Sequence, residues 1–170
     1  MKKTVKIAFC GIIAALITGV MAASLIPDLT FSVPAIAGLF IIPVFAEAGY
    51  AYALLCFFAS SALSFFIGDK TSFVLYIALF GYYPILKPLI EKIKVSLVKW
   101  LLKLFLFNTA AVVCYLVEIL LFTVTLKGWM LAVSFLLGNI AFVLYDIAVS
   151  RIAALYYLKL HNRISSMLKR

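Results

Sequence analysis

What most limits the fold of this chain is a series of six long apolar stretches, at about 5–26, 33–48, 50–67, 71–90, 100–125 and 129–157, parted only by short polar breaks. Of its 170 residues 67% are apolar, against roughly 45–50% in ordinary soluble domains. A globule of this size cannot hide that much apolar side chain from water. Lipid is therefore the expected solvent. At about 20 residues per spanning helix, six spans take roughly 120 residues and leave about 50 for connections, which excludes an appended soluble catalytic or nucleotide-binding domain. In hydrocarbon each backbone amide must be satisfied within a helix or around a closed barrel. Barrel strands would show runs of about ten alternating residues, and these stretches are longer and do not alternate. The expected class is an all-α integral membrane protein, a single transmembrane domain over 1–170.

The formal charge of +9 would point to nucleic acid in a soluble protein. Here its placement points to a membrane surface. Of the 15 lysines and arginines, all but Lys70 and Lys127 fall in three clusters: Lys2, Lys3 and Lys6; Lys87, Lys92, Lys94, Lys99 and Lys103; and Arg151, Lys159, Arg163, Lys169 and Arg170. Cytoplasmic loops retain Lys and Arg, so the clusters are expected on one side, with an even number of crossings between them. That parity promotes the short 33–48 stretch, which carries Pro34 and Pro43, from re-entrant loop to full span. It predicts six transmembrane helices with both termini cytoplasmic, in the cell membrane. Asp28, the Asp69-Lys70 turn and Lys127 then face outward, and Glu47 sits in a tight inner turn. Trp100 and Trp129 fall at segment ends, where indoles favour the interface. The basic start followed by an apolar run has the outline of a secretory signal, with Ala22-Ala23-Ser24 as small residues for cleavage. The run to Ile26 is long enough to span, and it reads as an uncleaved first helix.

Two patterns carry chemistry. In the first helix Gly11, Ala15, Gly19 and Ala23 recur at every fourth residue, which places them on one face as a nearly side-chain-free strip about 18 Å long. Another helix can approach such a strip closely in lipid, either from within the same bundle or from a separate subunit. In the fifth helix Asn108, Tyr115 and Glu118 share a stripe, and in the sixth Asn139, Asp146 and Ser150 do the same. A carboxylate deep in a bilayer usually faces a cavity, a partner or an ion path. Glu118 and Asn139, with Tyr115, Trp129, Tyr76 and the Asp69-Lys70 turn, are expected to line a pocket open to the outside. Asp146 lies deeper and has two readings: pocket lining, or structural glue to Arg151 or a neighbouring helix. Aromatic faces with few polar anchors suit a small ligand. An ionised Glu118 would favour a cationic or amine-bearing one, Trp129 an aromatic heterocycle, and Asn139 would orient a ring through its paired donor and acceptor.

The remaining signals are bland. Cys10, Cys56 and Cys114 are scattered through apolar runs and read as buried small hydrophobes, and His161 as a solvated group in a basic tail. Pro84 and Pro88 loosen the exit of the fourth helix, and the stretch from Lys92 to Lys103 is expected to lie along the inner surface, against anionic lipid or a partner. The sequence has no phosphate-binding loop, no zinc-protease motif and no nucleophile elbow, so neither enzyme nor cofactor chemistry is expected. An inverted repeat of the kind secondary carriers use is also missing.

In size, in its six helices with basic inner ends and in the Gly11, Ala15, Gly19, Ala23 strip, the chain resembles the S component of energy-coupling factor transporters. The likeness covers the whole chain as architecture and rests in motif on the first helix, where glycine replaces alanine at two of four positions. The resemblance implies that the strip docks on a transmembrane coupling subunit driven by two cytoplasmic ATPases. It also implies that a vitamin-like substrate binds near the outer face among the last three helices, and that the whole subunit topples to deliver it. Competing readings are a small structural or assembly protein of the cell-shape type, which needs no ligand, and a stand-alone carrier dependent on Asp146.

Overall fold

A computed structural model describes residues 3–122, 128–161 and 164. Lys2, Lys127, Arg163, Lys169 and Arg170, all part of the charge argument, lie outside them. Helix α1 (Lys3–Ala22) runs through two short turns, Ala23–Leu25 and Pro27–Leu29, into α2 (Ser32–Leu39) and α3 (Ile41–Ala48). Then follow α4 (Tyr50–Ile67), α5 (Lys70–Leu75) with a π turn at Tyr76–Phe80, α6 (Tyr83–Ile90), α7 (Ser96–Phe122), and α8 (Gly128–Leu155) with a π turn at Tyr156–Leu160. Among the described residues there is no strand.

Five helical stretches are long and apolar enough to cross a bilayer: Lys3–Leu25, Tyr50–Ile67, Lys70–Ile90, Ser96–Leu120 and Gly128–Leu160. The protein is thus an all-α, multi-pass membrane protein. Ser32–Ala48, expected as a sixth span, is a shorter apolar stretch broken at Phe40. Pro43 explains the break, because its ring lacks the N–H that would bond Leu39 and crowds that carbonyl.

The two ends of the bundle are built differently. At one end Lys6 Nζ donates to the carbonyl of Ala48 (3.2 Å), Glu47 meets the end of α8, and Glu91 meets the start of α7. At the other, the Asp69 amide donates to Ser24 Oγ (2.9 Å) and Ser72 Oγ to the carbonyl of Thr30 (2.7 Å). The α2–α3 segment therefore runs from the second end to the first, antiparallel to α1 and α4. Gly49 turns the chain between α3 and α4 at φ 94°, ψ 179°, a region essentially closed to residues with a Cβ.

Two apolar clusters form the interior. The larger joins α1 to α4, with Ile17, Met21, Ile41, Val44, Cys56 and Tyr76 at its centre. The smaller joins α3, α6, α7 and α8 through Ile42, Tyr83, Phe107, Phe142, Tyr145 and Val149. Between them α2 lies hard against the π turn. A Cβ on Gly38 would strike the carbonyl oxygen of Phe80 and come within 2.7 Å of the Tyr145 hydroxyl. The π turn presents the Phe80 carbonyl sideways, where Tyr145 Oη donates to it at 3.1 Å. Large apolar side chains such as Phe66, Leu120 and Leu158 point outward, as lipid-facing surface requires.

The stretch beyond Lys92 does not lie separately along a surface. From Ser96 it is continuous with α7, a helix of 27 residues, and so about 40 Å long.

Candidate functional site

Three features stand out: an uncovered strip on α1, a partly buried polar set toward one end of α7 and α8, and a buried ionic cluster between α6, α7 and α8.

The strip is set one residue round the helix from the face that α1 buries. Cys10, Ala14, Ile17, Thr18 and Met21 are buried against the rest of the larger cluster, and Thr18 Oγ1 returns its hydrogen bond to the Ala14 carbonyl (2.8 Å). Gly11, Ala15 and Gly19 are exposed, and Ala23 is half-buried. A Cβ placed on Gly11 or Gly19 meets nothing within 4 Å. Ile12, Leu16 and Val20 flank an open stretch of helix surface over Ala15 and Gly19. Gly11, Ala15 and Gly19 thus lie open among the described residues, while Ala23 packs against the larger cluster.

The polar residues expected at the outer face are only partly brought together. Asn108 and Asn139 form a reciprocal pair: each amide nitrogen donates to the other's oxygen, at 3.0 and 3.1 Å, and also to a carbonyl one turn earlier, Leu104 or Phe135, at 2.8 Å. Both protons of each amide are used, which clamps α7 to α8. Tyr115 and Glu118 are half-buried on the same helix, and Glu118 has no ion-pair or hydrogen-bond partner among the described residues. Trp129 is exposed. No residue of α8 before Phe142 is buried, so this half of the helix leans on little besides α7. Tyr76 is elsewhere: it is fully buried in the core, with its hydroxyl 2.8 Å from Ser60 Oγ. Asp69 caps α5 by accepting from the Ser72 amide (3.2 Å), and Lys70 is exposed beside it.

The ionic cluster is the most densely bonded polar feature. Asp146 Oδ1 accepts from the Tyr83 hydroxyl (2.5 Å) and from Lys87 Nζ, and Oδ2 accepts from Lys103 Nζ at 3.1 Å. Lys87 Nζ also donates to the Asp146 carbonyl, and Ser150 Oγ donates there at 3.1 Å. Lys103 Nζ reaches on to Glu91 Oε1 (2.5 Å), and Lys99 Nζ to Glu91 Oε2 (3.4 Å). The side chains of Lys87, Lys103 and Asp146 are 7%, 4% and 6% exposed. The hydrogen bond from Lys103, with its charge, holds the Glu91 carboxyl below the usual carboxylate range. Of the two readings of Asp146, glue to neighbouring helices matches these bonds, through Lys87 and Lys103 and not through Arg151. Two lysines counted as loop charges in the topology argument are thus buried and paired.

Beside that cluster lies a cavity of about 300 Å³ between α3, α6 and α8, lined by Ile42, Phe45, Pro84, Pro88, Val149 and Ala153, with Lys87, Glu91, Ser150 and Tyr157 among its polar groups. Nearby, Glu47 Oε1 accepts from Tyr156 Oη (2.8 Å) and lies 2.8 Å from His161 Nδ1. His161, expected as a solvated tail group, instead ties the end of α8 to α3. Cys10, Cys56 and Cys114 are buried free thiols. Among the described residues no group of His, Cys, Asp and Glu is placed to hold a metal.

The ionic cluster was hidden in the sequence because its members lie at unequal distances from their helix ends. Lys87 is one turn from the end of α6, Lys103 roughly 10 Å inside α7, and Asp146 roughly 20 Å from Leu160. One signal was present: charges of opposite sign inside successive apolar helices, each expensive alone and tolerable only together.

Comparison with protein families, curated proteins and solved structures finds no match.

Proposed function

We propose that the chain is a membrane-embedded binding subunit of the energy-coupling factor type. It takes up a small vitamin-like solute from the outer side and delivers it inward while docked to a transmembrane coupling subunit driven by two cytoplasmic ATPases. The observation that carries this reading is the uncovered α1 strip. Three of its four small residues face outward, with open surface over Ala15 and Gly19. In lipid, close helix approach is driven by dispersion contacts that small residues permit, so an open strip favours a separate helix as its occupant.

In this reading α2–α3 is the sixth crossing, and both termini lie at the cytoplasmic face of the cell membrane. Its buried residues run from Val33 to Ala48, and a segment so enclosed by protein need not match the bilayer in length. The solute meets Glu118, Tyr115, Asn139 and Trp129 where α8 is loosely packed, with Asp69 and Lys70 at the adjoining end and Tyr76 supporting from the core. A second reading, a structural or assembly protein without a ligand, is favoured by the self-satisfied Asn108–Asn139 pair.

Co-expression with an energy-coupling module of the same cell separates the two. The Ala15→Leu/Gly19→Leu variant should lose co-purification with the module yet retain the solute that mass spectrometry finds on the unaltered protein. Full retention of the module by that variant, or failure of the unaltered chain to bind any module or solute, overturns the transport reading.

A further inference from the structure

The cavity lined by Lys87 belongs neither to the α1 strip nor to the outer polar set. Glu91 lines one end of it, its carboxylate bonded by Lys99 and Lys103, with Lys92 and Lys94 next along the chain. Its walls are apolar, from Ile42 and Phe45 on α3, Pro84 and Pro88 on α6, and Val149 and Ala153 on α8. A volume of about 300 Å³ has room for about ten groups of water size, enough for a stretch of hydrocarbon chain. In a bilayer such a slot is filled by whatever lipid supplies, because water gains nothing against these walls.

Charge at its mouth decides which lipid. Lys87, Lys99 and Lys103 face only Glu91 and Asp146 in the ionic cluster, so one positive charge is left over. Lys92, Lys94 and Arg151 have no ion-pair partner among the described residues. An ammonium has three donors, and Lys87 spends two of them on the oxygens of Asp146. Basic pockets between transmembrane helices bind phosphate-bearing headgroups through these same groups.

We infer that this cavity is a binding site for one anionic phospholipid, with an acyl chain between α3, α6 and α8 and its phosphate at the end where Lys87 and Glu91 line the cavity and Lys99 bonds Glu91. The lipid bridges α3, α6 and α8, which also meet through the smaller apolar cluster, and it stands independently of whether α1 docks a coupling subunit.

The test uses the full-length protein in nanodiscs of equal parts phosphatidylglycerol and phosphatidylcholine, released and weighed by native mass spectrometry. One retained phosphatidylglycerol is expected, favoured over phosphatidylcholine by about fivefold or more, as a single basic contact near a headgroup provides. Ala153→Phe, which fills the slot, should abolish the retained lipid, and Lys99→Glu should erase the preference while leaving a lipid bound. Inorganic phosphate alone should leave the melting temperature unchanged in detergent, whereas added phosphatidylglycerol should raise it. Retention of the two lipids within about twofold of each other, less than one basic contact provides, overturns the proposal. So does a folded Ala153→Phe protein that keeps its lipid, or stabilisation by phosphate without lipid. The preference of the unaltered protein decides the matter even if a variant fails to fold.

Discussion

Asp146→Asn tests the ionic cluster with little change of shape. In the native protein the carboxylate answers two buried ammonium groups and the Tyr83 hydroxyl. After the substitution Lys103 keeps Glu91, but Lys87 is left with a backbone carbonyl and an amide oxygen. Stripping one member from a buried ion pair costs about 3–5 kcal/mol, mostly for the charge left behind. Weakening the Tyr83 bond adds about 1 kcal/mol. A loss of about 4–6 kcal/mol in all corresponds to a fall of roughly 8–24 °C in melting temperature for a chain of this size. A thiol-reactive dye can follow unfolding, since Cys10, Cys56 and Cys114 are all buried. Lys87→Met combined with Asp146→Asn removes the orphaned charge. It should recover about half of the loss or more, a coupling within the range of contacting residues. The reasoning fails if Asp146→Asn melts within about 2 °C of the unaltered protein, below the shift that 1 kcal/mol brings. It fails equally if the double variant loses the sum of the two single losses.

Glycines in the same bundle should respond in opposite ways. Gly38→Ala drives a Cβ into the Phe80 carbonyl, a backbone atom that cannot swing aside, and should cost about 1–3 kcal/mol as overpacking does. Gly19→Ala meets open space and should stay within about 0.5 kcal/mol or gain slightly from helix propensity; thermal unfolding in detergent separates them. Ser60→Ala should cost about 1–3 kcal/mol by leaving the buried Tyr76 hydroxyl without its partner. Ser64→Ala, removing a buried hydroxyl that has no hydrogen-bond partner among the described residues, should be neutral or stabilising in the same assay. Because Lys103 lowers the Glu91 pKa, the pairing stabilises the fold fully above the ordinary carboxyl value of 4.5. That contribution disappears as the pH falls through the lowered folded value. Acid titration of stability should show this loss, and Glu91→Gln should abolish that part of the pH dependence.

Much of the fold was legible along the chain. The first helix, expected at about 5–26, is Lys3–Ala22 with a further turn to Leu25, and the third, expected at 50–67, is Tyr50–Ile67. Apolar length, proline and glycine mark such boundaries locally, because a backbone in lipid must close its own hydrogen bonds wherever it runs. The four-residue spacing of Gly11, Ala15 and Gly19 likewise put them on one face before any neighbour was known. Which face α1 buries depends on how α4 lies against it, and spacing alone left the strip equally free to pack inside. Tyr76 could be placed at a depth but not in a direction: a π turn and Ser60 set its hydroxyl within the core.

The pairings of charge are the clearest case of what tertiary structure decides. Asp146, Lys87 and Lys103 are far apart in sequence and counted singly as a deep acid and two loop cations. Packing of α6, α7 and α8 brings them within bonding distance and changes what each residue is for. His161 and Glu47 meet in the same way, across 114 residues. Hydropathy is a property of a segment and survives being read in one dimension. The partner of a buried charge is a property of helices meeting in space, and no local pattern carries it.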